Sequence, residues 1–231
     1  MIFGRESRKM LIPGAVSLLV LLAAAFWLVR EDFFSLPVYG ELPEFSLVSA
    51  RGLPVNRKNL LEHVWVANTI FTRCTETCPL QIAVLVRLQK EFSPSKEPRF
   101  LAVTLDPKFD TLEVLARYAE RHGVDPERWV FLTGEEKAVA ALVRLGLRLP
   151  HRAAAGRRTP FPVWLAGRFL PAPAYAHHPD HPSGRGGGGA IVHSSRFVLI
   201  DRRARVRGYY HSDDEESLQK LRKDLRLLLN G

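Results

Sequence analysis

The feature that most constrains the fold is the point where an apolar run meets the only two cysteines of this 231-residue chain. The run "VWVANTIF", Val64 to Phe71, is rich in β-branched and aromatic residues, which is typical of a buried central strand. Cys74 and Cys78 follow at once, and after them "PLQIAVLVRLQKEF" has apolar residues at helical spacing. Pro79 suits a first helical turn, where its missing N–H costs nothing. The sequence therefore predicts a strand, a pair of thiols and a helix in direct succession.

Strand-like runs and helix-like segments alternate along the rest of the chain. Two short strands are predicted around the Arg51-Gly52 turn of "FSLVSARGLPVN". Further on, the strands "FLAVTLD" and "RWVFLTG" alternate with the helices "DTLEVLARYAERHG" and "EEKAVAALVRLG". The hairpin "SSRFVLID" and "ARVRGYYH" follows, then a helix from about Asp213 to Leu229. This order predicts an α/β protein with a mixed central sheet flanked by helices. With a dithiol where the first central strand meets its helix, it is the order of a thioredoxin-like fold.

Two aspartates lie close together after the strand "FLAVTLD". Asp110 is predicted to be the N-cap of the next helix, with Glu113 completing a capping box and Gly123 ending the helix. Asp106 ends the strand itself. The alternative is a carboxylate pair for acid–base chemistry, but a strand end and a cap account for both residues. We therefore assign them structural roles.

The N-terminus determines the expected compartment. Arg5, Arg8 and Lys9 precede an uncharged run from Met10 to Val29, long enough for a helix to span a bilayer. The positive-inside rule then predicts a cytoplasmic N-terminus at 1–9, an anchor at 10–29, a linker at 30–41, and a domain on the periplasmic side of the inner membrane. A cleaved signal peptide, with a small-residue site at Ala23 to Ala25, is the alternative. Both interpretations export the domain.

The chain is strongly basic, with a formal net charge of +9 and a sequence pI near 9.9. Such a charge is compatible with nucleic acid, an anionic membrane surface or an acidic partner. Its Lys and Arg residues are spread along the chain, and no zinc finger or RNP motif accompanies them. We therefore expect solvated basic faces near a membrane and no nucleic-acid partner.

The cysteine pair allows three kinds of chemistry. Cys78 is predicted at a helix start, where the helix dipole favours the thiolate, so its pKa is expected to be depressed. Two such thiolates can exchange disulfides or bind a soft metal such as Cu(I). Three residues separate them in "CTETC", so a structural disulfide would close only a tiny loop and stabilise little. Redox and metal chemistry remain open on this basis.

A copper site built on two thiolates would gain from an imidazole, and the chain has eight histidines. His193 opens the predicted strand "SSRFVLID", although a lone histidine at a strand start is usually a satisfied surface residue. His177, His178 and His181 lie in a Pro- and Gly-rich insertion at about 148–190. This cluster can capture Cu(II) or Zn(II) weakly, or it is an exposed polar loop without a specific role.

Three motifs together resemble one known family. "FTRCTETCP", "VTLDPKFDTLEVLARYA" and "HSSRFVLID" followed by "GYY" are similar to the Sco/SenC (PrrC) proteins, which are membrane-anchored and thioredoxin-like. The resemblance covers roughly Leu42 to Leu229, apart from the insertion, within a predicted domain at 42–231. It implies a metallochaperone that delivers copper to a cytochrome c oxidase subunit during assembly. Cys74, Cys78 and His193 inherit the role of ligands to Cu(I) or Cu(II).

The resemblance also implies a second activity for the same cysteines. As a thiol:disulfide oxidoreductase, the chain would keep the cysteines of its copper-accepting partner reduced, with Cys74 attacking and Cys78 resolving. Other copper chaperones and thioredoxin-like reductants are then expected partners. One departure is Val192, since the family often has an acidic residue directly before the histidine.

Overall fold

Eight strands and four α-helices make up the regular structure of the computed structural model, which describes residues 36–93, 96–150 and 194–230. The strands are β1 Gly40–Glu41, β2 Ser46–Ser49, β3 Pro54–Asn56, β4 Trp65–Ile70, β5 Arg99–Thr104, β6 Trp129–Thr133, β7 Arg196–Ile200 and β8 Arg205–His211. The helices are α1 Thr77–Glu91, α2 Leu112–Arg121, α3 Glu136–Ala141 and α4 Glu215–Asn230. A 3-10 turn at Arg57–Leu60 follows β3, and a π-helical turn at Leu142–Gly146 continues α3.

All eight strands belong to one mixed sheet with the order β1-β8-β7-β4-β5-β6-β2-β3. The central strands β4, β5 and β6 are parallel, whereas the remaining pairs are antiparallel. Every residue of β4 is buried, as expected for a central strand covered on both faces. The predicted mixed sheet with antiparallel edges is confirmed.

The two faces of the sheet are covered by different elements. Trp65 and Ala67 of β4 pack in one hydrophobic core with residues of α3 and of the π-helical turn that follows it. Side chains alternate along a strand, so Asn68 points to the opposite face. There it contacts Gln81 of α1. The buried residues of α1 include Cys78, Ile82 and Leu85, so the helix that carries the second cysteine packs firmly on the sheet.

The predicted N-cap of the second helix was wrong by one residue. Thr111 caps α2, since its Oγ1 accepts a hydrogen bond from the backbone N–H of Val114 at 3.4 Å. Asp110 is fully buried and its carboxylate is occupied elsewhere, so it is unable to cap the helix. Gly123 follows the helix with a φ of 62°, a conformation that glycine adopts without strain.

Several predictions concern residues outside the described ranges. They include the anchor at 10–29, most of the insertion, and the histidines His177, His178, His181 and His193. In the part of the chain that the structure describes, no helix is long and apolar enough to cross a bilayer. The last two residues of the expected linker, Gly40–Glu41, form β1 and pair with β8.

Candidate metal and redox site

The two cysteines lie together where the loop after β4 turns into α1. Cys78 is the second residue of α1, and its backbone N–H donates to the Sγ of Cys74 at 3.3 Å. The backbone N–H of Cys74 in turn donates to the carbonyl of Phe71 at 3.0 Å, which curls the loop back on the strand. Both cysteines are in the thiol form, Cys74 half-buried and Cys78 fully buried. One sulfur is therefore accessible from outside and the other is screened behind it.

The acidity of the pair differs from the expectation at a helix start. The pKa of Cys78 is raised, first by a hydrogen bond with the side chain of Cys74, then by burial, then by charge repulsion from Cys74. A backbone hydrogen bond at Phe71 acts in the opposite direction and is outweighed. The predicted depression of this pKa was therefore wrong, because the hydrogen bond with Cys74 and the burial of the thiol against the sheet both favour its neutral form. Cys78 stays protonated at neutral pH until a metal or a disulfide takes the place of its proton.

A buried carboxylate that sequence reasoning assigned to a cap lies beneath the cysteine loop. Asp110 accepts hydrogen bonds from the backbone N–H of Thr72, at 3.2 Å, and from the hydroxyls of Thr72 and Thr104. Thr72 lies two residues before Cys74, so Asp110 ties the loop to the end of β5. The sequence did contain a signal for this contact. Thr104 ends β5 and Thr72 follows β4, and polar groups converge at the carboxyl ends of such neighbouring parallel strands.

A second buried polar group, the side chain of Gln81, lies on α1 one turn beyond Cys78. The side chain of Gln81 is 1% exposed, and its Oε1 accepts from the Nδ2 of Asn68 at 3.2 Å. Its Nε2 donates to the backbone carbonyl of Ser194 at 3.3 Å. The sequence gives no local signal for this contact, because Gln81 and Ser194 are far apart in the chain. It fixes the start of the segment that leads into β7 against the helix of Cys78.

The rim of the site is formed by Arg73, Asp106 and Phe109. Arg73 forms an ion pair with Asp106, and its guanidinium lies 4.4 Å from the centre of the Phe109 ring. Asp106 and Asp110 thus have separate partners, but the specific roles assigned to them were wrong, since β5 ends at Thr104, two residues before Asp106, and Thr111 caps α2 in place of Asp110.

The structure brings together two of the three predicted metal ligands, Cys74 and Cys78, while His193 lies outside the described residues. Within residues 36–93, 96–150 and 194–230, no three His, Cys, Asp or Glu side chains form a potential metal cluster. Two neighbouring thiols can close to a disulfide or hold a soft metal ion.

Comparison with known proteins places the chain in a family. Residues 39–152 match the family model described as SCO1/SenC. The chain belongs to the SCO1/SenC family. The matched segment of this family member includes Cys74, Cys78 and Asp110.

A curated relative supports the assignment over part of its length. The family member is 30% identical over 99 residues to the SCO1 protein homolog of Bacillus subtilis (strain 168). The match covers 42% of this chain and 51% of the relative, so the chain spans about half the length of that protein.

Solved structures of Sco proteins share the fold. A SCO1/SenC family lipoprotein from Bacillus anthracis str. Ames has a TM-score of 0.62 at 22% identity, covering 83% of this chain and 96% of that chain. Bradyrhizobium japonicum ScoI, solved with copper bound, has a TM-score of 0.53 at 18% identity, with 79% and 98% covered. BsSco, a member of the Sco family of cytochrome c oxidase assembly proteins with a disulfide switch, has a TM-score of 0.60 at 19% identity, with 84% and 97% covered. The mixed α/β arrangement of Sco proteins is thereby confirmed for this chain.

Proposed function

We propose that this family member is a membrane-anchored metallochaperone that binds copper and delivers it to a copper-carrying subunit of cytochrome c oxidase during assembly. The observation that carries the proposal is the pair of neighbouring cysteine thiols at the start of α1, with the backbone N of Cys78 3.3 Å from the Sγ of Cys74. Thiolates are preferred ligands of Cu(I), and a thiolate pair with an imidazole also accommodates Cu(II). The copper-bound Bradyrhizobium japonicum relative gives further support.

The proposed ligands are Cys74, Cys78 and His193. Support for the third comes from its neighbour: Ser194 is 2% exposed and is hydrogen-bonded to Gln81, one turn beyond Cys78 on α1. Ser194 thus lies against α1 near the cysteine pair, and His193 is the residue that directly precedes it in the sequence.

The unequal exposure of the two sulfurs suggests how copper would be taken up and released. Binding displaces the proton of Cys78, whose pKa is raised, so loading of the site releases protons. Cys74 is the more accessible ligand and is therefore the one that a partner's thiolate replaces first. Transfer is a stepwise ligand exchange, and no covalent bond of a substrate is made or broken.

The proposed location of the domain rests on the positive charges that precede the apolar run near the N-terminus. Arg5, Arg8 and Lys9 before the apolar run at 10–29 favour a cytoplasmic N-terminus and a domain on the periplasmic side of the inner membrane. A linker would then hold the copper site above the membrane, where an oxidase subunit presents its copper-binding residues.

The same exposure pattern favours a second candidate function, reduction of a disulfide in the copper-accepting partner. The thiolate of Cys74 would attack the partner's disulfide to form a mixed disulfide and release one partner thiol. Cys78 would then displace the second partner thiol, leaving a disulfide between Cys74 and Cys78. The partner gains two electrons, and a thioredoxin-like reductant restores the pair. The disulfide switch named for BsSco supports this candidate.

X-ray absorption of the copper-loaded, reduced protein tests the ligand set. We expect sulfur ligands together with a nitrogen ligand that is lost in His193→Ala, while disulfide exchange largely survives. The matched control replaces His177, His178 and His181 with alanine and should leave the copper spectrum unchanged. A copper site without sulfur would refute the proposal, and copper retention by His193→Ala at wild-type affinity would refute the third ligand.

A further inference from the structure

The inference concerns a cavity of about 700 Å³ at the amino ends of the parallel strands. Trp65, Arg99 and Trp129, which line it, are the first residues of β4, β5 and β6. Cys74 follows the other end of β4, so the cavity and the cysteine pair lie at opposite ends of the sheet. Sites for small molecules measure about 300–1,000 Å³. The cavity therefore has the size of a ligand site, and the proposed copper chemistry makes no use of it.

The cavity lies where the hairpin of β2 and β3 separates from the edge of β6. In the described part of the chain, β2 pairs with only the last two residues of β6. Trp129 and Val130 therefore have no strand beside them on this edge within that part. The hairpin loop is nevertheless joined to the segment before β6, because the guanidinium of Arg51 donates to the carbonyl of Pro126. The cavity thus lies between two elements that are tied to each other.

The lining of the cavity is mainly apolar. The buried side chains of Val55, Leu60 and Trp65 form part of it. Leu53 also lines the cavity and is 58% exposed, so a ligand beside it would withdraw apolar surface from water. Because such burial is favourable, the lining favours a ligand with an apolar body.

One cation in this apolar lining has no protein partner. Arg99 is half-buried, and its side chain has no hydrogen-bond or ion-pair partner among the described residues. Its Nε is screened from water, and its guanidinium lies 5.8 Å from the centre of the Trp65 ring. A screened donor without a partner is unfavourable. A carboxylate is the group whose geometry matches the fork of a guanidinium.

The other charged groups of the lining have partners or face solvent. Arg51 donates to a backbone carbonyl, and Glu127 forms an ion pair with Lys96 at 3.0 Å. Glu120 is exposed, so water and salt screen its charge. The unmatched charge in the half-buried part of the lining is therefore the positive charge of Arg99, which favours an anionic ligand.

We propose that this cavity binds a small organic acid with an apolar body. The carboxylate of the ligand pairs with the guanidinium of Arg99, while its body packs against Trp65 and Leu53. Since the cavity and the cysteine pair lie at opposite ends of the sheet, this binding does not depend on the proposed copper site.

An NMR titration of the full-length protein with phenylpropionate tests the proposal. The indole N–H signals of Trp65 and Trp129 report on the cavity and are assigned by replacing each tryptophan with phenylalanine. Phenylpropanol, which has the same body with a hydroxyl group in place of the carboxylate, is the matched ligand control. Arg99→Met removes the charge and keeps an apolar stem, and Arg87→Met is the matched protein control, because Arg87 is exposed on α1 and does not line the cavity.

We expect phenylpropionate to shift the indole signals in a saturable manner, with a Kd below about 1 mM. Its affinity should exceed that of phenylpropanol by about tenfold or more, and Arg99→Met should remove this difference while Arg87→Met preserves it. Leu53→Glu places a like charge beside the ligand and should also weaken binding of the acid; it covers the case in which Arg99→Met does not fold.

Three results would overturn the proposal. The first is the absence of a saturable shift of either indole signal with phenylpropionate. The second is equal affinity for the acid and the alcohol, which would remove the role of the charge. The third is an unchanged affinity for the acid in Leu53→Glu and in folded Arg99→Met, which would place the binding elsewhere in the protein.

Discussion

Replacement of Asp110 by alanine should destabilise the protein more than any ordinary loop substitution. The carboxylate of Asp110 is 0% exposed and accepts from three donors, the N–H of Thr72 and the hydroxyls of Thr72 and Thr104. Thr104 is itself 0% exposed, so water does not reach its hydroxyl without a rearrangement. The variant therefore leaves at least two donors without an acceptor, and the loop before Cys74 loses its attachment to β5.

The size of the effect follows from these contacts. A buried donor left without a partner costs about 1–3 kcal/mol, which gives about 2–6 kcal/mol for the hydroxyl of Thr104 and the N–H of Thr72. Removing a buried carboxylate also removes its desolvation cost, which offsets part of this loss. We expect the free energy of unfolding to fall by about 2–4 kcal/mol.

Urea unfolding of the reduced protein at neutral pH measures the change, which should appear as a lower midpoint with an unchanged slope. Asp106→Ala is the matched control, because its partner Arg73 lies largely in solvent, and an ion pair that is screened by solvent on one side contributes about 1 kcal/mol or less. A loss of less than about 1 kcal/mol in Asp110→Ala, or equal losses in the two variants, would show that the buried hydrogen bonds do not hold the loop.

Three further predictions follow from the same structure. At neutral pH iodoacetamide should modify Cys74 faster than Cys78, because Cys78 is buried and its pKa is raised; peptide mass mapping over time measures this, and equal rates would contradict it. Copper at about 100 times its Kd should raise the free energy of unfolding by about 2.7 kcal/mol, an increase that Cys78→Ser should abolish. Burial acts to raise the pKa of Asp201, but hydrogen bonds from Arg205 and Arg207 lower it below the usual 3.8. The charged carboxylate of Asp201 therefore stabilises the folded state above pH 3.8, and this contribution is lost as the pH falls through the folded-state pKa. In an acid-unfolding titration of Asp201→Asn, the free energy of unfolding should fall less steeply with pH below pH 3.8 than in the wild type.

The order of strands and helices was predictable because it depends on local periodicity. The buried run that became β4 and the apolar spacing that became α1 both reflect neighbours only a few residues away. The cap of α2 was misplaced because Asp110 and Thr111 are both good N-cap residues. The choice between them is made by Thr72 and Thr104, which no local pattern shows.

The chemistry of the site was only partly predictable for a related reason. The adjacency of Cys74 and Cys78 follows from a short loop at a helix start, but the raised pKa of Cys78 depends on its hydrogen bond with Cys74 and on its burial against the sheet. Gln81 interrupts an apolar helical face, and a single sequence does not distinguish a buried amide from a solvated one. Its partner Ser194 became evident only in three dimensions.

Two buried polar anchors therefore flank the cysteine pair from different sides. Asp110 holds the loop that enters the pair, and Gln81 holds the segment that the proposed histidine ligand precedes. Asp110 is hydrogen-bonded to Thr72 and Thr104, and Gln81 to Asn68 and Ser194, so the loop before Cys74 and the segment before β7 are held by separate contacts. We therefore expect the geometry of Cys74 and Cys78 to survive the substitution His193→Ala. A protein needs such independence if the same two sulfurs bind copper together with a third ligand and exchange disulfides without it.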